Sequence, residues 1–509
     1  MVSGSGQMRL ALDRLEIDLP ELVLGPIKYD IGEAVQLLRP GEKACVEREY
    51  EIQVSPRVKE RCLLLSNGER IIVTERKKLA LPVGIDGILR GTCPGVYEWL
   101  SHVEIERAKQ TLGTKSVSAT WKDSFSYHSR DDTGLPEEGL RAPQLGALHA
   151  VGAHWSLSST PATIVMPTGT GKTETMLAIL VAQRINKLLV AVPSKALRSQ
   201  IAGKFRSLGK LRSLGVVPNS IANPVVGIAR RRPKNEAELQ LFKDCNVVVG
   251  VVSSLSGGTA TNFLDRIAGI MDVLVVDEAH HVKASTWQIL RQSFNDKKVL
   301  QFTATPFRGD GELVDGKVIY SYPLKQAQAD GYFQKIEFLP VYKVDFDAGD
   351  EEIAKVAVGR LREDIAKGLP HQVIARCGRK DRAESVCEIY ERIAADLKPI
   401  LIHSDIEDND ERVAKVRSGE AKIVVCVNML GEGIDIPQLK IAAVHDLHQS
   451  LAVLLQFVGR ITRGGDGDLG NASVVANIAV PSIPTPSSGC IARRGLELVA
   501  ARIQFRGRA

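Results

Sequence analysis

An apolar run, Ala162-Thr-Ile-Val165, leads straight into Met166-Pro-Thr-Gly-Thr-Gly-Lys-Thr173 and then into Glu174-Thr-Met-Leu-Ala-Ile-Leu-Val-Ala182. Buried strand, glycine-bearing loop and helix in that order constrain the fold more than any other stretch, because the loop must turn sharply between two packed elements. Gly169 and Gly171 let backbone N–H groups turn inward around an anion. Lys172 supplies a mobile charge for outer phosphates, and the Thr173 hydroxyl is suited to ligating magnesium. The stretch Thr168-Gly-Thr-Gly-Lys-Thr173 therefore reads as a nucleoside triphosphate cradle. Met166 stands where the usual G-x-x-x-x-G-K-T pattern has its first glycine.

A second element is Val273-Leu-Val-Val-Asp277-Glu-Ala-His280, in which an apolar strand runs into two acids. If this strand neighbours Ala162–Val165, Asp277 is placed to hold magnesium and Glu278 to take a proton from an attacking water. Other strands end in hydroxyl or basic groups. Leu188–Val192 runs into Ser194 and a helix with Arg198, and Asn246–Val252 runs into Ser253. Strands that alternate with helices predict a parallel sheet, and Ser194, Arg198 and Ser253 on its carboxyl edge are candidates for contact with nucleic-acid phosphates. A further α/β unit follows Gly331–Phe338, with strands at 371–376, 400–403, 421–427, 442–445 and 472–480 and a helix over 382–397. It also carries Leu455-Gln-Phe-Val-Gly-Arg460-Ile-Thr-Arg463, where two arginines three apart share a helix face. Set one domain away from a phosphate cradle, they are candidates for an arginine finger.

At 509 residues the chain has room for three or four domains. The eight cysteines include no C-x-x-C pair, which argues against a disulfide framework or a zinc site and for reduced thiols. No apolar run is long enough to span a membrane and Met1-Val-Ser-Gly-Ser-Gly carries no secretory signal, so the expected compartment is the cytoplasm. Upstream of residue 136, Leu15–Leu19, Glu49–Val54 and Arg70–Glu75 alternate as short strands do, and Tyr97–Gln110 reads as helix. The domain expectation is an N-terminal accessory region over 1–135, lobes over 136–335 and 336–480, and a Pro/Ser linker with a basic tail over 481–509. That tail is expected to be disordered, the end of a chain shortened from a longer ancestor.

In this order and spacing, the segments between about 140 and 480 resemble a superfamily 2 helicase or translocase with a DEAH box. The run Thr303-Ala-Thr305-Pro-Phe-Arg308 looks more like the motor subunits of type I and type III restriction enzymes and repair translocases than the DEAD-box RNA unwinders. The resemblance implies an α/β fold of two tandem RecA-like parallel-sheet lobes behind a β-rich N-terminal region, with ATP and Mg2+ bound between the lobes. By the same likeness Gln144 reads adenine, and Thr303 and Thr305 couple the site to nucleic acid. Gly433 and Asp435 lie in the cleft, and Gln456, Arg460 and Arg463 form the ATP-sensing and finger helix. The implied track is DNA, with RNA as the alternative, and the implied partner is a separate nuclease or another defence or repair protein. A nucleic-acid sensor that clamps without moving would use the same lobes. Paired acids with a lysine, as a nuclease needs, are not evident elsewhere in the chain.

Overall fold

The computed structural model describes residues 16–93, 95–111, 113–130, 138–256, 262–282, 284–304, 314–332, 336–403, 405–406, 408–427, 436–445 and 470–477. The expectations for 481–509 therefore lie outside the described residues. Eight strands come first: β1 (Glu16–Leu19), β2 (Leu22–Tyr29), β3 (Gly32–Arg39), β4 (Glu42–Ser55), β5 (Val58–Leu65), β6 (Arg70–Thr74), β7 (Gly87–Cys93) and β8 (Val96–His102). Six of them form one sheet in the order β1-β4-β5-β6-β7-β8. The period-2 alternation sends Leu63, Leu65, Ile71 and Leu89 to one face and Cys62, Ile72 and Ile88 to the other. The expected helix over 97–110 begins only at Val103. Tyr97 and Trp99 pack on the sheet core as strand residues, and the indole N–H of Trp99 donates to the Pro20 carbonyl at 2.9 Å.

The β2–β3 hairpin belongs to a different sheet. Gly32–Val35 pairs antiparallel with Val226–Ala229, nearly two hundred residues later. The approach is close enough that a Cβ on Gly32 would sit 1.8 Å from the Ile228 carbonyl oxygen. The Gln36 amide donates to the Asn223 carbonyl at 2.8 Å, and the Asn223 amide returns a bond to Leu37 at 2.9 Å. Two strands from upstream of residue 136 thus extend the first lobe.

That lobe contributes β9 (Ala162–Val165), β10 (Leu188–Val192), β11 (Val226–Ala229), β12 (Val247–Val251), β13 (Val273–Val276), β14 (Lys298–Thr303) and β15 (Lys317–Ser321). The nine-stranded order is β15-β9-β14-β13-β10-β12-β11-β3-β2, and β9 to β15 run parallel. Its central strands are buried throughout, as a sheet covered by helices on both faces requires, and a core lies on each side. One expectation needs correcting: β9 and β13 are not neighbours, because β14 lies between them.

The second lobe is a six-stranded parallel sheet of β16 (Ile336–Val341), β17 (Gln372–Cys377), β18 (Pro399–Ile402), β19 (Ile423–Val427), β20 (Leu439–Val444) and β21 (Ala472–Asn477), ordered β16-β21-β20-β17-β19-β18. The helix Phe346–Ala366 packs on it through Ile353, Ala354, Ala357, Val358 and Leu361. The protein is therefore two tandem RecA-like lobes with a β-rich N-terminal region. Cys45, Cys62, Cys245, Cys377, Cys387 and Cys426 are free thiols, and no helix among the described residues is long and apolar enough to cross a membrane.

The N-terminal sheet and the first-lobe sheet are joined by charge. Arg39 at the end of β3 forks onto Glu69 in the β5–β6 turn, with one arm at 3.2 Å, and buried His102 lies 3.7 Å from the same carboxylate. Burial alone would raise the Glu69 pKa, but His102 and Arg39 outweigh it and hold the carboxyl at about 2. A depressed carboxylate pKa contributes stability above the unfolded value, and that contribution is lost as pH falls through the folded value. Glu69→Gln is accordingly expected to lower Tm at pH 7, with the gap to wild type closing between about pH 4.5 and pH 2. Thermal melts across that range check it, and a gap independent of pH would count against the junction.

Candidate functional site

Strand β9 ends at Val165, but the backbone stays in register for one more residue: the Met166 N–H donates to the Thr303 carbonyl at 2.9 Å, and the methionine side chain is buried. Position 166 is still packed against the sheet core, which is why a large apolar residue fits where glycine is usual. The turn comes later. Gly169 and Gly171 both have φ of +94°, a left-handed conformation that costs other residues about 1–2 kcal/mol. The helix Lys172–Ala182 starts at once, so its unpaired N–H groups face the loop. The Thr170 hydroxyl donates to Pro167 at 2.7 Å and the Thr175 hydroxyl to Gly171 at 3.0 Å, closing the loop on itself. Thr173 is half-buried at the helix start. The Thr168 hydroxyl is buried without a hydrogen-bond partner among the described residues, and a buried orphan polar atom here fits a phosphate ligand.

Gln144 braces this loop from beneath. Its amide oxygen accepts from the Arg141 N–H at 2.9 Å, capping the helix Ala142–Leu157, and its amide nitrogen lies 3.4 Å from the Gly171 carbonyl. A Cβ on Gly171 would fall 2.0 Å from that nitrogen, so the glycine is required twice over. Arg141, which the sequence did not single out, donates to the Gly169 carbonyl at 3.0 Å.

The acids converge on the same loop from β13. Asp277 is buried, and its carboxylate accepts the Glu278 N–H at 3.0 Å. Glu278 adopts φ 50°, ψ 49°, a left-handed conformation that costs a non-glycine residue about 1–3 kcal/mol and turns its side chain toward the loop. There its Oε1 meets the Lys172 ammonium at 2.7 Å, with both side chains largely buried. His280 Nδ1 lies 3.7 Å from the other Glu278 oxygen and 3.0 Å from the Thr303 hydroxyl. Lys172, Glu278, His280 and Thr303 thus form one contact chain from the β9 loop across the end of β13 to the end of β14. The intervening strand supplies its last member. Beside them Glu174 pairs with Lys204 at 2.9 Å; burial would raise the Glu174 pKa, but the lysine charge keeps it below the usual carboxylate range.

The expected sheet-edge residues divide. Ser194 caps the helix Lys195–Ser207 by accepting from the Leu197 N–H at 3.3 Å. Arg198 is buried, donating to the Ala229 carbonyl at 3.2 Å. Ser253 is exposed, and Thr303 is fully buried with its hydroxyl on His280. Thr305, Gly433, Asp435, Gln456, Arg460 and Arg463 lie outside the described residues.

Two family descriptions match the chain: "Type III restriction enzyme, res subunit" over residues 137–308 and "Helicase conserved C-terminal domain" over 357–465. Among curated proteins, it is 23% identical over 342 residues to "DNA 3'-5' translocase XPB2" of Sulfurisphaera tokodaii, covering 55% of this chain and 75% of that one. It is 25% identical over 373 residues to "Putative ATP-dependent helicase YeeB" of Bacillus subtilis, covering 64% and 59%. The match to the "51.5 kDa protein" of a Lactococcus phage spans 51% of that protein. Among solved structures, a fragment of a putative HsdR subunit of a type I restriction enzyme from Vibrio vulnificus covers 91% of this chain and 88% of its own, at TM-score 0.50 and 14% identity, a likeness of fold. The two matched families fall on the two parallel-sheet lobes, and the chain belongs to the superfamily 2 helicases, among those that resemble restriction-enzyme motor subunits.

Proposed function

We propose that the protein hydrolyses ATP to move along nucleic acid, with double-stranded DNA as its track. The observation that carries this reading is the 2.7 Å pair of Lys172 and Glu278, which brings together two motifs 106 residues apart in one largely buried site. The pair has a chemical consequence. While Lys172 neutralises Glu278, the carboxylate is a poor base. Phosphate oxygens entering the loop draw the ammonium away, leaving Glu278 charged and available for a proton. Water then attacks the γ-phosphorus in line with the leaving oxygen of ADP, and its proton passes to Glu278. Thr173 and Asp277 offer the hard oxygen donors that suit Mg2+, which when bound neutralises the β and γ oxygens. His280 touches both Glu278 and Thr303, so a change at the base reaches the end of β14.

The choice of track rests on three supports. A translocase whose name specifies DNA is among the relatives, the first lobe matches a restriction-enzyme family, and aromatic residues for base stacking make up only 5% of the chain. Binding through the phosphate backbone releases counterions, so affinity for random duplex DNA is expected to fall with salt at a log–log slope of about −0.9 per phosphate contacted, with little sequence preference. Titrating ATPase activity with random duplex DNA and matched RNA at several salt concentrations tests it. Stimulation by RNA alone, or salt-independent binding with strong sequence preference, would overturn the choice.

A further inference from the structure

Arg141 does more than cap a helix. Its guanidinium carbon lies 5.4 Å from the centre of the Tyr332 ring, while one of its nitrogens donates to the Gly169 carbonyl at 3.0 Å. The peptide between Gly169 and Thr170 is therefore held at both ends, because the Thr170 N–H closes onto the Pro167 carbonyl at 3.3 Å. Tyr332 is itself fixed on the first lobe. Its N–H donates to the Ala327 carbonyl at 2.9 Å, ending the turn that follows the helix Leu324–Ala329, and its ring meets Tyr322 edge-on at 6.2 Å. The Tyr322 hydroxyl in turn bonds Asp330. Strand β16 of the second lobe starts at Ile336, four residues on, so at most about 14 Å of chain separates Tyr332 from that lobe.

We propose that Tyr332 is a positioning residue for nucleotide binding, holding the Arg141 guanidinium against the Gly169 carbonyl and so making the turn after the helix Leu324–Ala329 part of the nucleotide pocket. A guanidinium over a ring face is attracted by the ring quadrupole, which fixes a long side chain that otherwise samples many rotamers. Without the ring, Arg141 keeps its charge but loses its direction, and the Gly169 peptide loses its outer brace. The coupling is reciprocal: whatever displaces Tyr332 changes ATP affinity, and ATP binding changes the freedom of Tyr332.

The inference rests on the ATP reading, and the experiment separates the two. Equilibrium binding of a non-hydrolysable ATP analogue is measured for wild type, Lys172→Ala, Tyr332→Ala, Tyr332→Leu, Tyr332→Phe, Arg141→Ala and the Arg141→Ala/Tyr332→Ala double variant, with thermal melts to establish folding. Tyr332→Ala is expected to weaken binding about three- to thirtyfold, the range of a partly desolvated cation–π contact. Tyr332→Leu fills the space without a ring face and is expected to bind as weakly as Tyr332→Ala, whereas Tyr332→Phe recovers most of the affinity. The double variant is expected to be no weaker than Arg141→Ala alone, since the tyrosine acts through the arginine. Recovery by leucine, additive losses in the double variant, or unchanged binding in Tyr332→Ala would each overturn the inference while leaving the ATP site intact. Unchanged binding in Lys172→Ala would instead overturn the reading on which it rests.

Discussion

Replacing Glu278 by glutamine is expected to lower ATP turnover by about 10²–10⁴ while ATP still binds. The geometry makes this substitution a clean probe. Glutamine has the same shape, tolerates the left-handed backbone no worse than glutamate, and leaves Asp277 in place. What it removes is the charge that now holds Lys172 at 2.7 Å. With that partner neutralised, the lysine has less to give up on meeting phosphate, so ATP affinity should stay equal to wild type or rise. Lys172→Ala makes the converse change and should weaken binding itself. Single-turnover hydrolysis beside equilibrium binding of an ATP analogue separates these outcomes. Near wild-type turnover in Glu278→Gln would sink the assignment of the base.

Much of this site could be read from local pattern, and what could not was a matter of pairing. Leu188–Val192 and Val273–Val276 stood out as strands because both their faces are buried, which leaves an uninterrupted apolar run. The glycine turn between β9 and the helix Lys172–Ala182 was legible because its glycines answer to backbone geometry within six residues. The order of strands is a different kind of fact: nothing in the residues of β9 or β13 says that β14 separates them, and that insertion is what brings Thr303 onto His280. The β2–β3 hairpin was not singled out at all, and its pairing is hidden for the same reason, since its partner strand Val226–Ala229 lies far along the chain. Gln144 was singled out by the family resemblance, and its contacts brace Gly171 and cap a helix, a role that only packing reveals. The helix Phe346–Ala366 was missed despite a helical period in Ile353, Ala354, Ala357, Val358 and Leu361, because alanines at two of those positions lower the contrast with its polar face.

The largest effect is expected from Arg460→Ala, which should cut the nucleic-acid-stimulated turnover by about 10³–10⁵ while leaving ATP affinity largely intact. That range corresponds to about 4–7 kcal/mol of transition-state stabilisation, more than the base contributes. Arg460 lies outside the described residues, but the strand leading toward it does not. Strand β20 runs on into His445, whose Nδ1 bonds Asp350 at 2.9 Å and whose Nε2 meets the Tyr390 hydroxyl at 3.1 Å. Arg382 donates to Asp350 at 3.0 Å and to the His445 carbonyl at 2.8 Å, so the chain enters residue 446 from a rigid, buried anchor. On the proposed function, an arginine finger from the second lobe acts on bound phosphates only when the lobes close, so its loss is expected to fall on the stimulated rate and to spare binding to the open protein. Arg460→Lys should rescue little, because an ammonium lacks the planar fork that spans two phosphate oxygens. Steady-state ATPase assays with and without duplex DNA, beside ATP-analogue binding, decide the matter. Equal stimulation in Arg460→Ala and wild type would refute the finger, and a matching loss of ATP affinity would place the arginine in ground-state binding instead.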